Sequence, residues 1–581
     1  MSRVSRFVLC VSSLAVLVAG CSQPPTPAPS ADTVFQVVAD EFVADYMKRN
    51  PSAATYLGIH DYDDQLEDPS RTAVDAEVAS LKQFRQRLTA LDPGELTPAN
   101  QLDRLQALTA IDSRLLDREV IKSWARNPDV YSSGLTQTAY IMIKRNFASP
   151  VDRLKALIAR EKLMPNVFAA ARVNLDNPPA IYTDIALEQV DGNRAFFASA
   201  VPDAFTSVLD QDLLAEFKKS NQAVLDGFDA YKTFLAKDLK PRSQGTFPFG
   251  AATLAAKFKA DEMIDVPLDR LLAIAQADLA RNTDTFNKTA AQIAPGRTAR
   301  QVLDAVSTDH PAAADLLAVT QSRLNGLRRF IEEHHLLTVP PSVAAKVVET
   351  PPFMRAVTIA SMDTPGPFET KATEAYYNVT LPDPAWPAAR VESYMRAWYL
   401  PAITNVSVHE VYPGHYTQFL YGPAFPSRIR KVFGAASNSE GWAHYCEQMM
   451  LDEGSAGNDP KYRLAQLQDA LLRDVRFIAG IRMHTGQMTI EQAQDMFEKQ
   501  GFQVPPVALA EAKRGTSDAT YGYYTLGKLM ILKLRDDYKA KKGASFSLQD
   551  FHDTFLKLGP LPLPLIRRAM LGEQGDPLPV Q

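Results

Sequence analysis

Two of the nine histidines fall within "HEVYPGH", His409 to His415, with Glu410 directly after the first. Neutral imidazoles are common metal ligands, and a carboxylate beside one is placed to move a proton. On an α-helix, histidines four residues apart lie about 40° apart and grip one ion from one face, as in HExxH. Here the spacing is six, about 120° on a regular helix, so sharing a metal requires the helix to bulge. Pro413 removes a backbone donor and Gly414 accepts unusual dihedrals, so the distortion is expected there. A third ligand has to come from a neighbouring element. "NSEGWAHYCEQMM", Asn438 to Met450, offers Glu440, His444 and Glu447 at i, i+4 and i+7 on one helical face. Ser437, Asn438 and Ser439 are expected to cap that helix, leaving Glu440 in its first turn.

The elements that must hold these residues are mainly helical. Val78, Leu81, Phe84, Leu88 and Leu91 recur at three- and four-residue steps, as do Leu268, Leu271, Leu272, Ala275 and Leu279. Asp265 and Pro267 stand where the second helix opens. Between Leu337 and Pro387 the texture changes to β-branched and aromatic runs, "VAAKVVET", "FMRAVTIASM" and "EAYYNVTL", which predict a small sheet directly before the histidines. The stretch from Ala375 to Leu381 is expected to offer a strand edge to an extended peptide. Helical periodicity then runs to about Leu571. The expected organisation is a helical N-terminal lobe over 33–335 and a catalytic region over 336–581, with its sheet in 337–387.

The chain start has the layout of a secretory signal: Arg3 and Arg6, an apolar run from Phe7 to Val18, then small residues. That run is too short to predict a permanent span. Val18-Ala19-Gly20-Cys21 resembles a bacterial lipobox, which implies cleavage after residue 20 and lipid on Cys21. Ser22 fits sorting to an outer membrane facing the periplasm. Residues 21–32 are a Pro-rich tether. A chain starting at Cys21 loses the two arginines and stands near −7 instead of −5, with no basic run, so nucleic acid is excluded as a partner. Cys446 is then the only free thiol, and no disulfide framework exists.

The pair "HEVYPGH" and "SEGWAHYCE" resembles the bacterial DUF885 family, whose pattern is HExxPGH followed by EGWAxYxE. That family is similar to the gluzincin metallopeptidases. The likeness extends from "YLGIHDYDD" near Tyr56 to "YTLGKLMILKLR" ending at Arg535. It implies a mainly α, two-lobed, gluzincin-like body and a zinc ion held by His409, His415 and Glu440. It also implies Glu410 as general base and one of Tyr521, Tyr523 and Tyr524, foremost Tyr524, as donor to an oxyanion. Dipeptidyl peptidase III, by resemblance, tolerates a one-residue insertion in the same motif. Position 444 is usually apolar in the family, and Gly480 stands where an Asp is expected four residues before His484. His444 remains open as a ligand, an outer partner of the ligands or a helix-surface residue, and Glu447 is an outer-partner candidate. His60, His310, His334, His335 and His552 carry no partner pattern.

The expectation is a lipid-anchored zinc metallopeptidase acting on peptides in the cell envelope. The alternatives are a non-catalytic envelope lipoprotein with a structural metal, or a zinc hydrolase of a non-peptide amide or ester. Oligomeric state and cleavage preference are not encoded in any motif.

Overall fold

The computed structural model describes residues 29–351, 355, 358–572 and 575–579. The signal peptide, Cys21 and most of the tether lie outside them. The body opens with helix Ala31–Arg49, whose first turn is capped by Ser30 Oγ accepting from the Thr33 amide at 3.2 Å. The periodic residues behave as expected in Arg71–Thr89, where Leu81, Phe84 and Leu88 are buried. The long helices Pro150–Asn174 and Gln211–Phe234 pack around a separate apolar cluster that includes Phe168, Phe197 and Phe228.

The helices that carry or brace the histidine motif follow in order: α1 (Ala251–Glu262), α2 (Leu268–Ile293), α3 (Leu400–Glu410), α4 (His415–Leu420), α5 (Ala436–Asp452), α6 (Pro460–His484) and α7 (Tyr523–Lys542). Pro267 stands at the N-cap of α2, and Asp265 turns away to Lys259 at 2.6 Å. Leu271, Ile274, Leu279 and Phe286 of α2 share one core with Trp442, Val475, Phe477 and Leu526. Buried contacts therefore run across residue 335. Among the described residues no helix is long and apolar enough to cross a membrane.

The three β-rich runs form β1 (Lys346–Glu349), β2 (Ala360–Asp363) and β3 (Tyr376–Val379), in the order β1-β3-β2. β1 runs parallel to β3 and β2 antiparallel to it, with Tyr377 opposite both Val347 and Met362. One expectation is corrected here. The stretch around Tyr376–Val379 is the central strand, with both backbone edges occupied, so it cannot accept a peptide. β1 and β2 are the outer strands.

Candidate metal centre

α3 ends at Glu410, and His409 lies in its last turn. The predicted bulge is instead a complete break: residues 411–414 form a turn, and α4 starts afresh at His415. The Gly414 amide donates to Val408 O at 3.0 Å, and the Tyr412–Pro413 bond is cis. A Cβ on residue 414 would lie 1.8 Å from His409 O, so only glycine permits this return. Trp442 of α5 fixes the turn by donating its indole N–H to Pro413 O at 2.9 Å.

The break brings the motif together. His409 Nε2 lies 3.5 Å and His415 Nε2 3.4 Å from the same Glu440 Oε2, and the three ligand atoms lie within 4.8 Å of one another. The imidazole planes are 85° apart, as for two ligands approaching one point from different sides. Glu440 Oε2 is buried and has no hydrogen-bond partner among the described residues. Zinc bonds of about 2.0–2.2 Å in a tetrahedron put ligand atoms about 3.3–3.6 Å apart. Two imidazole nitrogens and a carboxylate oxygen at 3.4 and 3.5 Å fit that donor set. The Glu440 side chain retains 28% exposure while its Oε2 is buried, so the cluster lies just beneath the surface.

Glu440 does not lie in the first turn of α5. The helix starts at Ala436, Ala435 at the N-cap offers no side-chain bond, and Asn438 points to Leu561 O at 2.8 Å. Glu440 is one turn further in. Burial opposes its charge, but His415 and then His409 hold the carboxyl well below the usual range. For His409, burial and Arg473 push the pKa down. Glu440 and Glu447 outweigh them and raise it to about 9.

Behind His409 is a buried carboxylate. Glu447 is 1% exposed; its Oε1 accepts from His409 Nδ1 at 2.7 Å and forms an ion pair with Arg473 at 3.0 Å. Its Oε2 accepts from His444 Nδ1 at 3.1 Å and Asn405 Nδ2 at 3.3 Å. This orients the His409 ring so that Nε2 faces Glu440. His444 is 0% exposed and outside the three-residue cluster, so neither the helix-surface nor the ligand reading holds. Burial lowers its pKa to about 3, leaving a neutral donor to Glu447.

The three tyrosines separate. Tyr524 stacks on His409 with centroids 6.1 Å apart and planes at 15°, flanked by Arg473 and Arg476 at 5.6 and 5.2 Å. Burial and then the Glu440 charge raise its pKa, so the hydroxyl keeps its proton. Tyr523 donates to Asp261 at 3.2 Å, and Tyr521 packs against Gly480 and Gly515. A Cβ at 480 would lie 2.8 Å from Ala519 O and 3.2 Å from the Tyr521 ring, which explains why no Asp stands there. His484 Nε2 donates to Gly515 O at 2.8 Å and packs against Phe247 and Phe249, outside the three-residue cluster. Glu410 is half-buried and has no hydrogen bond or ion pair among the described residues. Its charge acts on Tyr377 of β3, whose pKa burial raises first.

His60 bridges Asp63 and Glu369 at 2.9 and 3.1 Å, and His552 links Leu336 O to Tyr445 at 2.7 and 2.8 Å. Cys446 is buried, which pushes its thiol pKa up. The residues that sequence reasoning missed are Asn405, Arg473 and Arg476. The signal was two arginines three residues apart, with Asp474 between them, in a stretch of α6 that is otherwise apolar from Ala470 to Ile481.

Residues 51–570 match the family described as "Bacterial protein of unknown function (DUF885)". A candidate lipoprotein of unknown function from Shewanella oneidensis is 28% identical over 92% of this chain and 99% of its own, with a TM-score of 0.77. A candidate lipoprotein from Colwellia psychrerythraea has the same fold at 17% identity, covering 94% and 99%, with a TM-score of 0.80. No curated protein matches the sequence.

Proposed function

From the premise that the chain belongs to the DUF885 family, we propose that it is a lipid-anchored, gluzincin-like zinc peptidase of the cell envelope. The observation that carries the reading is the single unpartnered Glu440 oxygen, 3.5 and 3.4 Å from two imidazole nitrogens. His409, His415 and Glu440 would hold the ion. Zinc bound there supplies Lewis acidity, which polarises an amide carbonyl and lowers the pKa of water toward neutral.

The remaining chemistry belongs to side chains. Glu410, unpartnered and next to a ligand, takes the proton of the attacking water and passes it to the leaving amine. Tyr524, protonated and stacked on His409, donates to the oxygen on which negative charge develops. Glu447 and Arg473 hold His409 in one orientation, so the first ligand does not swing during turnover. An extended peptide adds along the outer edge of β2, the strand next to α3, by backbone pairing. Among the described residues only three ligand atoms converge, which favours a catalytic over a structural metal, because structural zinc sites are closed by four protein ligands. The Val18 to Cys21 box, together with candidate lipoproteins of the same fold, supports a lipid on Cys21 and placement in the cell envelope, and Ser22 fits sorting to an outer membrane.

Glu410→Gln tests this reading. It should keep near-normal zinc content and lose at least about 10²-fold in peptide hydrolysis. Loss of zinc would make Glu410 structural, and undiminished hydrolysis would place the chemistry elsewhere.

A further inference from the structure

The ligand helix α5 lacks a cap of its own, since Ala435 has no side-chain acceptor. Its first turn is nevertheless satisfied. Glu262, the last residue of α1, is 0% exposed and lies 175 residues away in sequence. One of its oxygens accepts from the Ser437 amide at 3.0 Å and the other from Ser437 Oγ at 2.5 Å. Its neighbour Asp261 accepts from Tyr523 Oη at 3.2 Å, at the start of α7. Two adjacent carboxylates at the end of one helix thus hold the starts of the two helices that carry Glu440 and Tyr524.

The surroundings leave those helices little freedom. Ser113 and Lys257 brace Asp261 at 2.7 and 2.8 Å, and the Gly250 amide at the head of α1 donates to His484 O at 2.9 Å. α5 and α7 touch backbone to backbone. A Cβ on Gly527 would lie 2.0 Å from Ser437 O, and one on Gly441 2.5 Å from Gly527. At such a crossing, a small slide of α5 along its axis moves Glu440 directly against Tyr524 and the two histidines. Misplacing a ligand by about 1 Å is costly to a preorganised site.

We propose that Glu262, assisted by Asp261, is a positioning residue of the metal centre. It caps α5 in trans and sets the depth at which Glu440 meets His409 and His415. This rests on the zinc-centre reading above. A carboxylate, or its neutral isostere, suits a helix N-terminus because it accepts the amides that have no partner within the helix.

The test uses the full mature chain, with zinc affinity measured by competition against a chromogenic chelator and with hydrogen exchange at amides 437–440. Glu262→Ala should weaken zinc by about 10-fold or more, the scale for an outer partner of a metal ligand, and should speed exchange of those amides. Glu262→Gln keeps an acceptor for the amide and a donor for the hydroxyl, so it should restore both. Glu161→Ala removes an equally buried carboxyl on helix Pro150–Asn174, which accepts from Asn221 Nδ2 at 3.1 Å and packs in the separate apolar cluster, and should lower stability without moving zinc affinity. A folded Glu262→Ala with zinc affinity within twofold of the parent overturns the proposal, as does equal weakening in Glu161→Ala. Should Glu262→Ala not fold, Ser437→Ala removes one of the two bonds: a smaller weakening supports the proposal, and none overturns it. A parent that binds no zinc ends the zinc-centre reading by itself, and exchange at 437–440 then decides whether Glu262 caps α5.

Discussion

Glu447→Ala removes the carboxylate on which His409, His444, Asn405 and Arg473 converge. Two separable losses follow. The Arg473 side chain is 10% exposed and its Nε already lacks a partner, so deleting Glu447 leaves a buried guanidinium without its direct ion-pair partner, with Asp469 and Glu511 acting only at longer range. Breaking a buried pair from one side costs about 3–5 kcal/mol. His409 Nδ1 also loses the 2.7 Å acceptor that orients its ring, for which the expected loss is about 10- to 100-fold in zinc affinity. Denaturant unfolding of chelator-treated protein reads the first loss, and chelator competition reads the second. Adding Arg473→Met separates them: it removes the orphaned charge and should recover part of the stability, while zinc affinity stays low. Zinc affinity that returns with stability, or never falls in Glu447→Ala, would refute the assignment of Glu447 as the group that holds His409.

Tyr524→Phe should retain zinc and fold while kcat falls by about 10²- to 10³-fold, the scale for one oxyanion donor; equal effects from Tyr521→Phe would argue against the stacking geometry. Gly414→Ala puts a Cβ 1.8 Å from His409 O, so zinc binding should be lost with far-ultraviolet circular dichroism largely kept, and a variant with unchanged zinc affinity would contradict the described turn. Cys21→Ser should release the protein from the membrane fraction; unaltered membrane association would remove the lipid anchor.

The candidate metal-site residues were legible in the sequence because the chemistry dictates their types. Two histidines, an adjacent glutamate, a Pro-Gly pair and a second motif bearing Glu440 leave few other uses. How the chain joins them was not. Pro413 and Gly414 announced a distortion, but whether it becomes a bulge or a full break depends on Gly414 approaching the His409 carbonyl and on Trp442 holding Pro413, both of which are tertiary contacts. Hydrophobic runs located all three strands, yet their order is a long-range property, and the strand expected at an edge is central. His444 looked ambiguous because a helical face does not say what it packs against; Glu447 and burial settle that. The capping of α5 was misread for the same reason. Its acceptor sits on α1, far away in sequence, and Ser437 is the donor to it rather than the cap.

The central claim is that His409, His415 and Glu440 share one zinc ion. Anomalous diffraction from crystals of the mature chain, recorded on both sides of the zinc absorption edge, tests it most directly. The account predicts a single strong zinc peak about 2.0–2.2 Å from His409 Nε2, His415 Nε2 and a Glu440 oxygen, absent in Glu440→Ala. Zinc bound at other residues, or no peak here from zinc-saturated crystals, would contradict it.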